Sequence, residues 1–422
     1  GRAVTVFEKV PELKSVGAGI LLQPSGMAVL RDLGLIDECA ALGAPITRLF
    51  GTTACADRVI LDTRYADWQP NSHGLGMHRA TLMTALLNAA RAAGVVIQTG
   101  VDVQRFAQAD THVSLFDGTQ KIGDFESLIL ADGTRSVLRA QMQVKQSAEP
   151  YPWGALWAIL PTPFGSDSTD LRQWYKGCSQ MFGVMPTGAT HAQPQQKLSS
   201  LFWSLPVADY DNWRERGLDA WKSDVLALAG EAAEPFLAQI HDPAQLTLAA
   251  YADVNMRQWH DGRVIAIGDC AHAMSPQLGQ GANMALVDAA VLARVWQSDL
   301  GRAFEDYGKL RRRHLTYYRQ ASRWLTPLFQ SHNRVLPLLR DSALFTARHT
   351  PIGRQHAVTT LVGARTGWLR SRYAADDLYV LNHADCFTFL IALNPITIFC
   401  APSHLHSRPV YRRCQSHDDM AQ

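Results

Sequence analysis

The residues best suited to chemistry are Gly268 and Asp269, which follow an apolar run at positions 264–267. A short apolar run that ends at such a turn is typical of a buried strand. Asp269 is therefore predicted at the carboxyl end of a strand, where its carboxylate can accept hydrogen bonds from several hydroxyl groups. This pair predicts a site for a ligand that carries a sugar-like chain.

A glycine-rich helix start follows this carboxylate closely. Pro276, Gly279 and Gly281 predict a turn, and positions 283–293 predict a helix that begins at Asn283. The first turn of a helix offers unpaired backbone N–H groups and the positive end of the dipole, and both favour a bound anion. A flavin meets both requirements, because it has a ribityl chain and its ring becomes anionic when it is reduced.

Two earlier segments also place charged residues at the ends of predicted elements. Arg79 opens a predicted helix at 80–93, where the dipole disfavours a cation, so a bound anion is the better explanation for it. The other segment follows an apolar run from position 127 and contains Asp132, Gly133, Ser136 and Arg139.

In their order and spacing, the three segments resemble the FAD motifs of single-component aromatic-ring hydroxylases, which are flavoprotein monooxygenases similar to the salicylate and hydroxybenzoate hydroxylases. The resemblance covers residues 1 to about 370. It implies an enzyme in which NADH or NADPH reduces FAD, one atom of O2 is transferred to a small aromatic substrate and the other leaves as water. The cofactor supplies this chemistry, while the protein binds, orients and excludes water.

The resemblance implies a role for each charged residue. Glu8, at the end of the first predicted strand, accepts hydrogen bonds from the adenosine ribose. Arg79 pairs with the FAD pyrophosphate as a planar, permanently charged donor. Asp132 and Gly133 order a loop near the cofactor phosphates, and Arg139 is a candidate for the charge of the nicotinamide cofactor.

The resemblance also implies which residues surround the flavin ring. Asp269 holds the ribityl hydroxyls, Gly268 belongs to the same cofactor-binding motif, and Pro276 lies against the ring. The backbone that stabilises the negative charge of the reduced ring runs over 278–283 and includes Gly279, Gly281 and Asn283. His272 is interpreted as a structural hydrogen-bond partner, and no catalytic base is assigned.

The first glycine motif of the family has no room in this chain. A Rossmann unit places its glycine loop roughly 20 residues before the acidic residue that holds the ribose. Only seven residues precede Glu8, so the strand at 3–8 corresponds to the second strand of that unit. We therefore expect that the chain lacks its true amino terminus, as Gly1 in place of methionine also indicates.

The predicted fold is of the α/β class, with a Rossmann-like FAD-binding domain, incomplete at its amino terminus, an inserted mixed or antiparallel substrate sheet and C-terminal helices. The predicted ranges are 1–45, 76–150 and 256–295 for the FAD-binding domain, 46–75 and 151–255 for the substrate domain, 296–370 for the helices and 371–422 for an atypical tail.

Composition argues against several other classes of protein. A net charge of +2 indicates no acidic partner, and the basic run at 311–314 is interpreted as the solvated face of a helix rather than a nucleic-acid site. The apolar stretch at 387–401 is too short to span a bilayer. Seven scattered cysteines without a CxxC pair favour a reducing, cytoplasmic compartment. Neither the substrate nor the oligomeric state follows from the sequence.

Some alternatives remain open. The chain could be a non-catalytic, truncated fragment, or another FAD oxidoreductase of the same fold, such as a halogenase or a reductase. Trp153 and Trp157 superficially resemble a halogenase motif, but their spacing is wider. A metal site in the tail is disfavoured, since its four candidate ligands match no common zinc spacing: Cys400, His404, His406 and Cys414.

Overall fold

The central layer of the fold is a six-stranded sheet. The computed structural model describes residues 3–13, 19–54, 58–166, 168–296, 300–369 and 396–401. In spatial order the strands are β17 (His260–Asp261), β18 (Val264–Ala266), β11 (Ser127–Ala131), β19 (Ile396–Ala401), β1 (Ala3–Glu8) and β7 (Val96–Thr99).

The directions of these strands define a doubly wound arrangement. β1 pairs in parallel with β7, and β11 pairs in parallel with β18. β19 lies between the two pairs and runs antiparallel to both β1 and β11. In the Rossmann order 3-2-1-4-5, β19 thus occupies the position of the first strand. The predicted α/β class is confirmed.

Helices cover this sheet because their apolar faces share one core with β1, β11 and β18. They are α1 (Pro24–Asp32), α2 (Ile36–Leu42), α3 (Arg79–Ala92), α7 (Gly281–Val295) and the start of α8 (Leu300–Phe329). The helices predicted at 80–93 and 283–293 are therefore confirmed as α3 and α7, with ends shifted by one to two residues.

Two three-stranded antiparallel sheets flank the central layer. One contains β2 (Gly19–Leu22), β6 (Gly74–His78) and β3 (Ala44–Ile46), and the other contains β10 (Gln120–Phe125), β9 (Val113–Asp117) and β8 (Arg105–Gln108). The first sheet leads directly into α3, so it fixes the position of Arg79.

A separate seven-stranded sheet forms the second layer. Its order is β16 (Thr247–Met256), β12 (Gln146–Pro161), β15 (Gln193–Pro206), β14 (Gln180–Thr190), β13 (Asp170–Lys176), β4 (Arg48–Thr53) and β5 (Val59–Arg64). All its pairs are antiparallel except β13 with β4. Helix α4 (Tyr210–Ala229) and the short α5 (Glu234–Leu237) cover one face through an aromatic-rich core.

The region predicted to be helical after position 296 is helical. α8 is followed by α9 (Leu336–His349) and α10 (Pro351–Leu361). None of the helices in the described ranges is both long and apolar enough to cross a membrane. The predicted domain boundaries stay a prediction.

Part of the segment predicted as an atypical tail takes part in the fold, because β19 (Ile396–Ala401) is a strand of the central sheet. Three of the four tail residues considered as metal ligands (His404, His406 and Cys414) lie outside the described residues.

Candidate active site

The turn that carries Asp269 is built on a buried strand. β18 is fully buried and leads to Gly268, whose φ of 57° lies in the left-handed region that a side chain disfavours. Asp269 follows as the first residue of the short helix α6 (Asp269–His272). Its side chain is exposed, and no cationic side chain lies within ion-pair distance of its carboxylate among the described residues.

The carboxyl group of Asp269 is nevertheless surrounded by protein atoms. Desolvation raises its pKa, while His272 and Arg79 act in the opposite direction and the charge of Asp288 adds to the rise. A carboxylate that is open to a cleft but poorly solvated gains from hydrogen-bond donors supplied by a ligand.

A buried carboxylate, that of Asp288, fixes this turn by hydrogen bonds to Gly268 and His272. It lies in α7 and is fully buried. Its Oδ2 accepts hydrogen bonds from the Gly268 backbone N–H at 2.9 Å and from His272 Nε2 at 2.5 Å, and its Oδ1 accepts one from Arg311 Nε at 2.7 Å. Burial opposes ionisation, but His272, Arg311 and the hydrogen bonds together hold the pKa of Asp288 well below its usual range. The prediction that His272 is a structural partner is borne out by this geometry.

The basic run at 311–314 differs from its predicted role. Arg311 and His314 are buried, and only Arg312 and Arg313 are exposed as a solvated face would require. The interpretation was wrong for the first and last residues because Arg311 neutralises Asp288 inside the core. Arg311 Nη1 in turn donates to His314 Nδ1 at 2.5 Å.

His314 is held as a neutral imidazole. Its Nδ1 accepts from Arg311, so its Nε2 carries the proton and donates to the Gly363 carbonyl at 2.9 Å. Burial and the neighbouring Arg311 lower the pKa of His314 to about 3. Because the folded-state pKa lies below the usual value of 6.5 for histidine, the unfolded chain binds this proton first as the pH falls.

We expect this histidine to make the protein acid-sensitive. Stability should fall as the pH drops from about 6.5 toward 3, where only the unfolded state is protonated at His314. Urea unfolding at pH 7.5 and at pH 5 measures the loss, and His314→Gln should show a smaller loss than the wild type. Equal losses in the two proteins would contradict the buried neutral state. Exposed His241, replaced in the same way, serves as the control.

The start of α7 leaves open space next to Asp269. Pro276, Gly279 and Gly281 are exposed. A Cβ built on Gly279 would meet no atom within 4 Å, and one on Gly281 would meet only Asp269 Oδ1, at 3.8 Å. The side chain of Asn283 accepts from the Gln23 backbone N–H at 2.8 Å and donates to the Leu21 carbonyl at 3.1 Å. It therefore fixes the helix start against β2 and α1.

The Asp132 loop is tied to the Asp269 turn by Arg139. The Arg139 guanidinium is buried and donates to the carbonyls of Cys270 and Thr134, both at 2.9 Å, and more distantly to that of Gly133, at 3.4 Å. The Arg139 backbone N–H donates to Ser136 Oγ at 2.8 Å. This side chain thus connects the two loops, whereas the resemblance implied for Arg139 a role toward the charge of the nicotinamide cofactor.

Asp132 keeps one carboxylate oxygen without a partner. Its Oδ1 is buried and makes no hydrogen bond within the described protein. Desolvation raises the pKa of Asp132, and Ser136 and Cys270 act in the opposite direction. An unpartnered buried oxygen is costly unless a ligand supplies a donor.

Arg79 is placed at the same cleft. His78 caps α3 by accepting the Ala80 backbone N–H at 3.1 Å, and Arg79 is the exposed first residue of the helix. Burial raises the pKa of both Asp269 and Tyr251, and the charge of Arg79 opposes that rise in each, so Arg79 lies within electrostatic range of the two side chains. The Nε1–H of Trp157 donates to the Tyr251 hydroxyl at 3.1 Å.

Glu8 lies at the same edge of the sheet, but its carboxylate already accepts a hydrogen bond from a nearby backbone N–H. β1 and β11 run in the same direction, so Glu8, the last residue of β1, and Asp132, the first residue after β11, lie at the carboxyl ends of these strands. Glu8 is 4% exposed, and its Oε1 accepts the Val10 backbone N–H at 3.0 Å. Burial raises the pKa of this carboxyl group.

Sequence reasoning missed Tyr251 and Asp288. Tyr251 stands in a strand with no recognisable motif, so only the tertiary structure brings it to Arg79. Asp288 did carry a signal, because it is the one acidic residue in the otherwise apolar predicted helix at 283–293. A carboxylate in such a helix must be paired when it is buried.

These features fit FAD. The exposed, partnerless Asp269, the open space over Gly279 and Gly281 and the unsatisfied Asp132 oxygen all lie at the carboxyl edge of the sheet, where doubly wound folds bind nucleotides. The geometry of the site therefore fits the class of flavin-dependent enzymes.

A family comparison agrees with this class. The family model described as FAD binding domain matches residues 1–314. The chain therefore belongs to the FAD binding domain family, and it is an FAD-dependent monooxygenase.

Curated relatives are similar over most of their length. The chain is 27% identical over 297 residues to the aurachin C monooxygenase/isomerase of Stigmatella aurantiaca, covering 70% of this chain and 74% of that protein. It is 27% identical over 312 residues to the 6-hydroxynicotinate 3-monooxygenase of Bordetella bronchiseptica, covering 70% and 77%.

Solved structures share the fold. HpxO of Klebsiella pneumoniae, solved with FAD and uric acid, superposes with a TM-score of 0.69 at 19% identity and covers 84% of this chain and 90% of its own. A 2-methyl-3-hydroxypyridine-5-carboxylic acid oxygenase superposes with a TM-score of 0.66 at 21% identity, covering 83% and 88%.

Proposed function

We propose that this protein uses NADH or NADPH and O2 to hydroxylate a small, electron-rich aromatic compound. The observation that carries the proposal is the exposed Asp269 beside the open glycine start of α7. Relatives named for 6-hydroxynicotinate and a hydroxypyridine carboxylic acid support a polar aromatic substrate. Buried, unpaired cysteines at three described positions support a reducing compartment such as the cytoplasm.

When it is bound, FAD supplies the transfer of electrons and of one oxygen atom. The proposed task of Asp269 is to accept hydrogen bonds from the ribityl hydroxyls, and that of Arg79 is to pair with the pyrophosphate. The backbone N–H groups at the start of α7 would stabilise the negative charge of the reduced flavin without reorganisation in this proposal. Glu8 takes the ribose in this proposal, which requires its carboxylate to exchange the Val10 backbone N–H for a hydroxyl donor.

The test is a direct measurement of turnover. Purified protein supplied with FAD is incubated with NADH or NADPH and a panel of phenols, hydroxynicotinates, hydroxypyridine carboxylates and urate. We expect one ring class to increase both nicotinamide oxidation and O2 uptake, with a hydroxylated product detected by mass spectrometry. Tight FAD binding without hydroxylation of any compound in the panel would contradict the proposed substrate class.

Tyr251 is expected to orient the aromatic substrate. Its hydroxyl accepts from Trp157, and no acceptor for its own proton is found within the described residues, so that proton can be donated to a ligand in the cleft. Tyr251→Phe keeps the ring and removes the donor. One hydrogen bond contributes about 0.5–1.5 kcal/mol, so KM for the substrate should rise about two- to twelvefold.

The matched control for this prediction is Trp157→Phe, which removes the partner of the hydroxyl but leaves the hydroxyl in place. FAD affinity should be unchanged in both variants. If Tyr251→Phe weakened FAD binding and left KM unchanged, the residue would belong to the cofactor site instead.

A further inference from the structure

A second pocket, rich in cations, lies outside the cleft described above. It has a volume of about 640 Å³ and is formed by three segments of chain, at 143–145, 257–260 and 305–312. The first follows the Arg139 loop, the second joins β16 to β17 and the third belongs to α8. We call it the basic pocket.

Three cations of the basic pocket have no carboxylate partner within ion-pair distance among the described residues: Lys145, Arg257 and Arg312. All three are exposed. Lys309, in the same pocket, is in contrast paired with Asp306 at 2.9 Å and with Glu305 at 3.8 Å. The unpaired charges therefore favour an anionic ligand.

Trp259 gives the basic pocket a flat apolar wall. The Arg312 guanidinium lies 6.0 Å from the centre of its ring. The same indole packs edge-on against Tyr307 at 5.9 Å and against His272 at 6.4 Å. Because these core contacts fix the half-buried indole, its exposed part can stack on a ligand without further ordering. A flat aromatic wall beside unpaired cations suits a nucleotide, which has a base and phosphates.

Gly308 leaves open space where α8 lines the basic pocket. It is an interior residue of α8, where glycine is disfavoured relative to alanine, and a Cβ built on it would meet no atom within 4 Å. Helix propensity therefore does not explain why glycine stands at position 308. The space that it leaves open for a ligand does explain it.

We propose that the basic pocket binds the phosphate-bearing adenosine part of the nicotinamide cofactor. This inference rests on the proposed function, which requires that cofactor. Arg139, the sequence candidate for its charge, has its guanidinium engaged by three backbone carbonyls. The basic pocket begins four residues beyond it, at Gln143. Through Trp259 it also touches His272, in the same short helix as Asp269.

The experiment measures nucleotide binding directly. ADP and adenosine 2′,5′-bisphosphate are titrated into the full chain by calorimetry at low and at high salt. We expect both to bind, and to bind more weakly at high salt because the contacts are ionic. Arg312→Gln should weaken binding about tenfold, as expected for the loss of one charge-assisted phosphate contact. Arg313→Gln, the exposed neighbour outside the pocket, is the matched control and should bind like the wild type.

A steric variant gives an independent test. Gly308→Leu projects a side chain into the open space and should abolish binding, while its higher helix propensity keeps α8 folded. Gly308→Ala raises helix propensity in the same way but fills less of the space, so it should weaken binding less. Undiminished binding to Gly308→Leu, or no binding of either nucleotide to the folded wild type, would overturn the proposal.

Kinetics separate this inference from the proposed function. In Arg312→Gln, KM for NADH or NADPH should rise about tenfold with kcat nearly unchanged, because only cofactor binding is affected. An unchanged KM would overturn the assignment to the nicotinamide cofactor. If the nucleotides bind but no preparation oxidises NADH or NADPH, the proposed function fails while the basic pocket stands as a nucleotide site.

Discussion

Replacing Asp269 by asparagine should weaken FAD binding about ten- to a hundredfold, because hydrogen bonds to a charged acceptor contribute about 1.5–3 kcal/mol. The substitution keeps the size of the side chain and removes its charge. Asp269→Ala, which removes every acceptor, should lose the yellow cofactor during purification. Fluorescence quenching of FAD gives the dissociation constant, and the absorbance spectrum gives the occupancy.

Asp269→Asn should not destabilise the protein when no cofactor is bound. Desolvation and the charge of Asp288 raise the pKa of Asp269, so its ionised form is unfavourable in the folded state. A neutral amide removes that cost, and urea unfolding should show equal or higher stability. Asp211→Asn, on the exposed face of α4, is the control. Wild-type affinity for FAD in Asp269→Asn would show that this residue is not a ligand of the cofactor.

Asp288→Asn should lower the free energy of unfolding by about 3–5 kcal/mol, the usual cost of breaking a buried ion pair. The variant leaves Arg311 buried at 0% exposure without its counter-ion. It also weakens the acceptor of the Gly268 backbone N–H, so the turn that presents Asp269 should loosen and FAD affinity should fall. Urea denaturation of the protein without cofactor measures the first effect, and FAD titration measures the second.

The pH dependence gives a further readout. The pKa of Asp288 is lower in the folded state than the usual value of 3.8 for aspartate, so its contribution to stability is present above about pH 4 and is lost as the pH falls toward the folded-state pKa. This part of the acid sensitivity should disappear in Asp288→Asn. The double variant with Arg311→Met, which removes both charges, should recover part of the lost stability. No recovery would indicate that the ion pair is not the source of the loss.

The local parts of the site could be predicted because strand ends and helix starts depend on neighbouring residues. The apolar run at 264–267 and the glycines at 279 and 281 indicated where the chain turns, and the structure has a strand end and a helix start there. Arg79 at the start of α3 was recognised for the same reason: its conflict with the helix dipole is visible within one turn.

The parts that depend on distant residues could not be predicted. The basic run at 311–314 was interpreted as solvated because the sequence does not show that Arg311 pairs with Asp288. That residue is 23 positions away, on another helix. Tyr251 meets Trp157 across 94 positions of chain. The basic pocket combines three segments of chain that are distant in sequence. The open space next to Gly308 can be recognised only when the positions of these segments are known.

The place of β19 bears on the order in which the chain can fold during synthesis. In the described sheet, β1 and β11 are joined only through β19, which is made roughly 265 residues after β11. At about 5–20 residues per second, that interval lasts on the order of tens of seconds. Throughout it, β1 and β11 each present an unpaired backbone edge, which other strands can join. The nascent protein should therefore depend on chaperones more than a doubly wound domain whose central strand is synthesised before its neighbours.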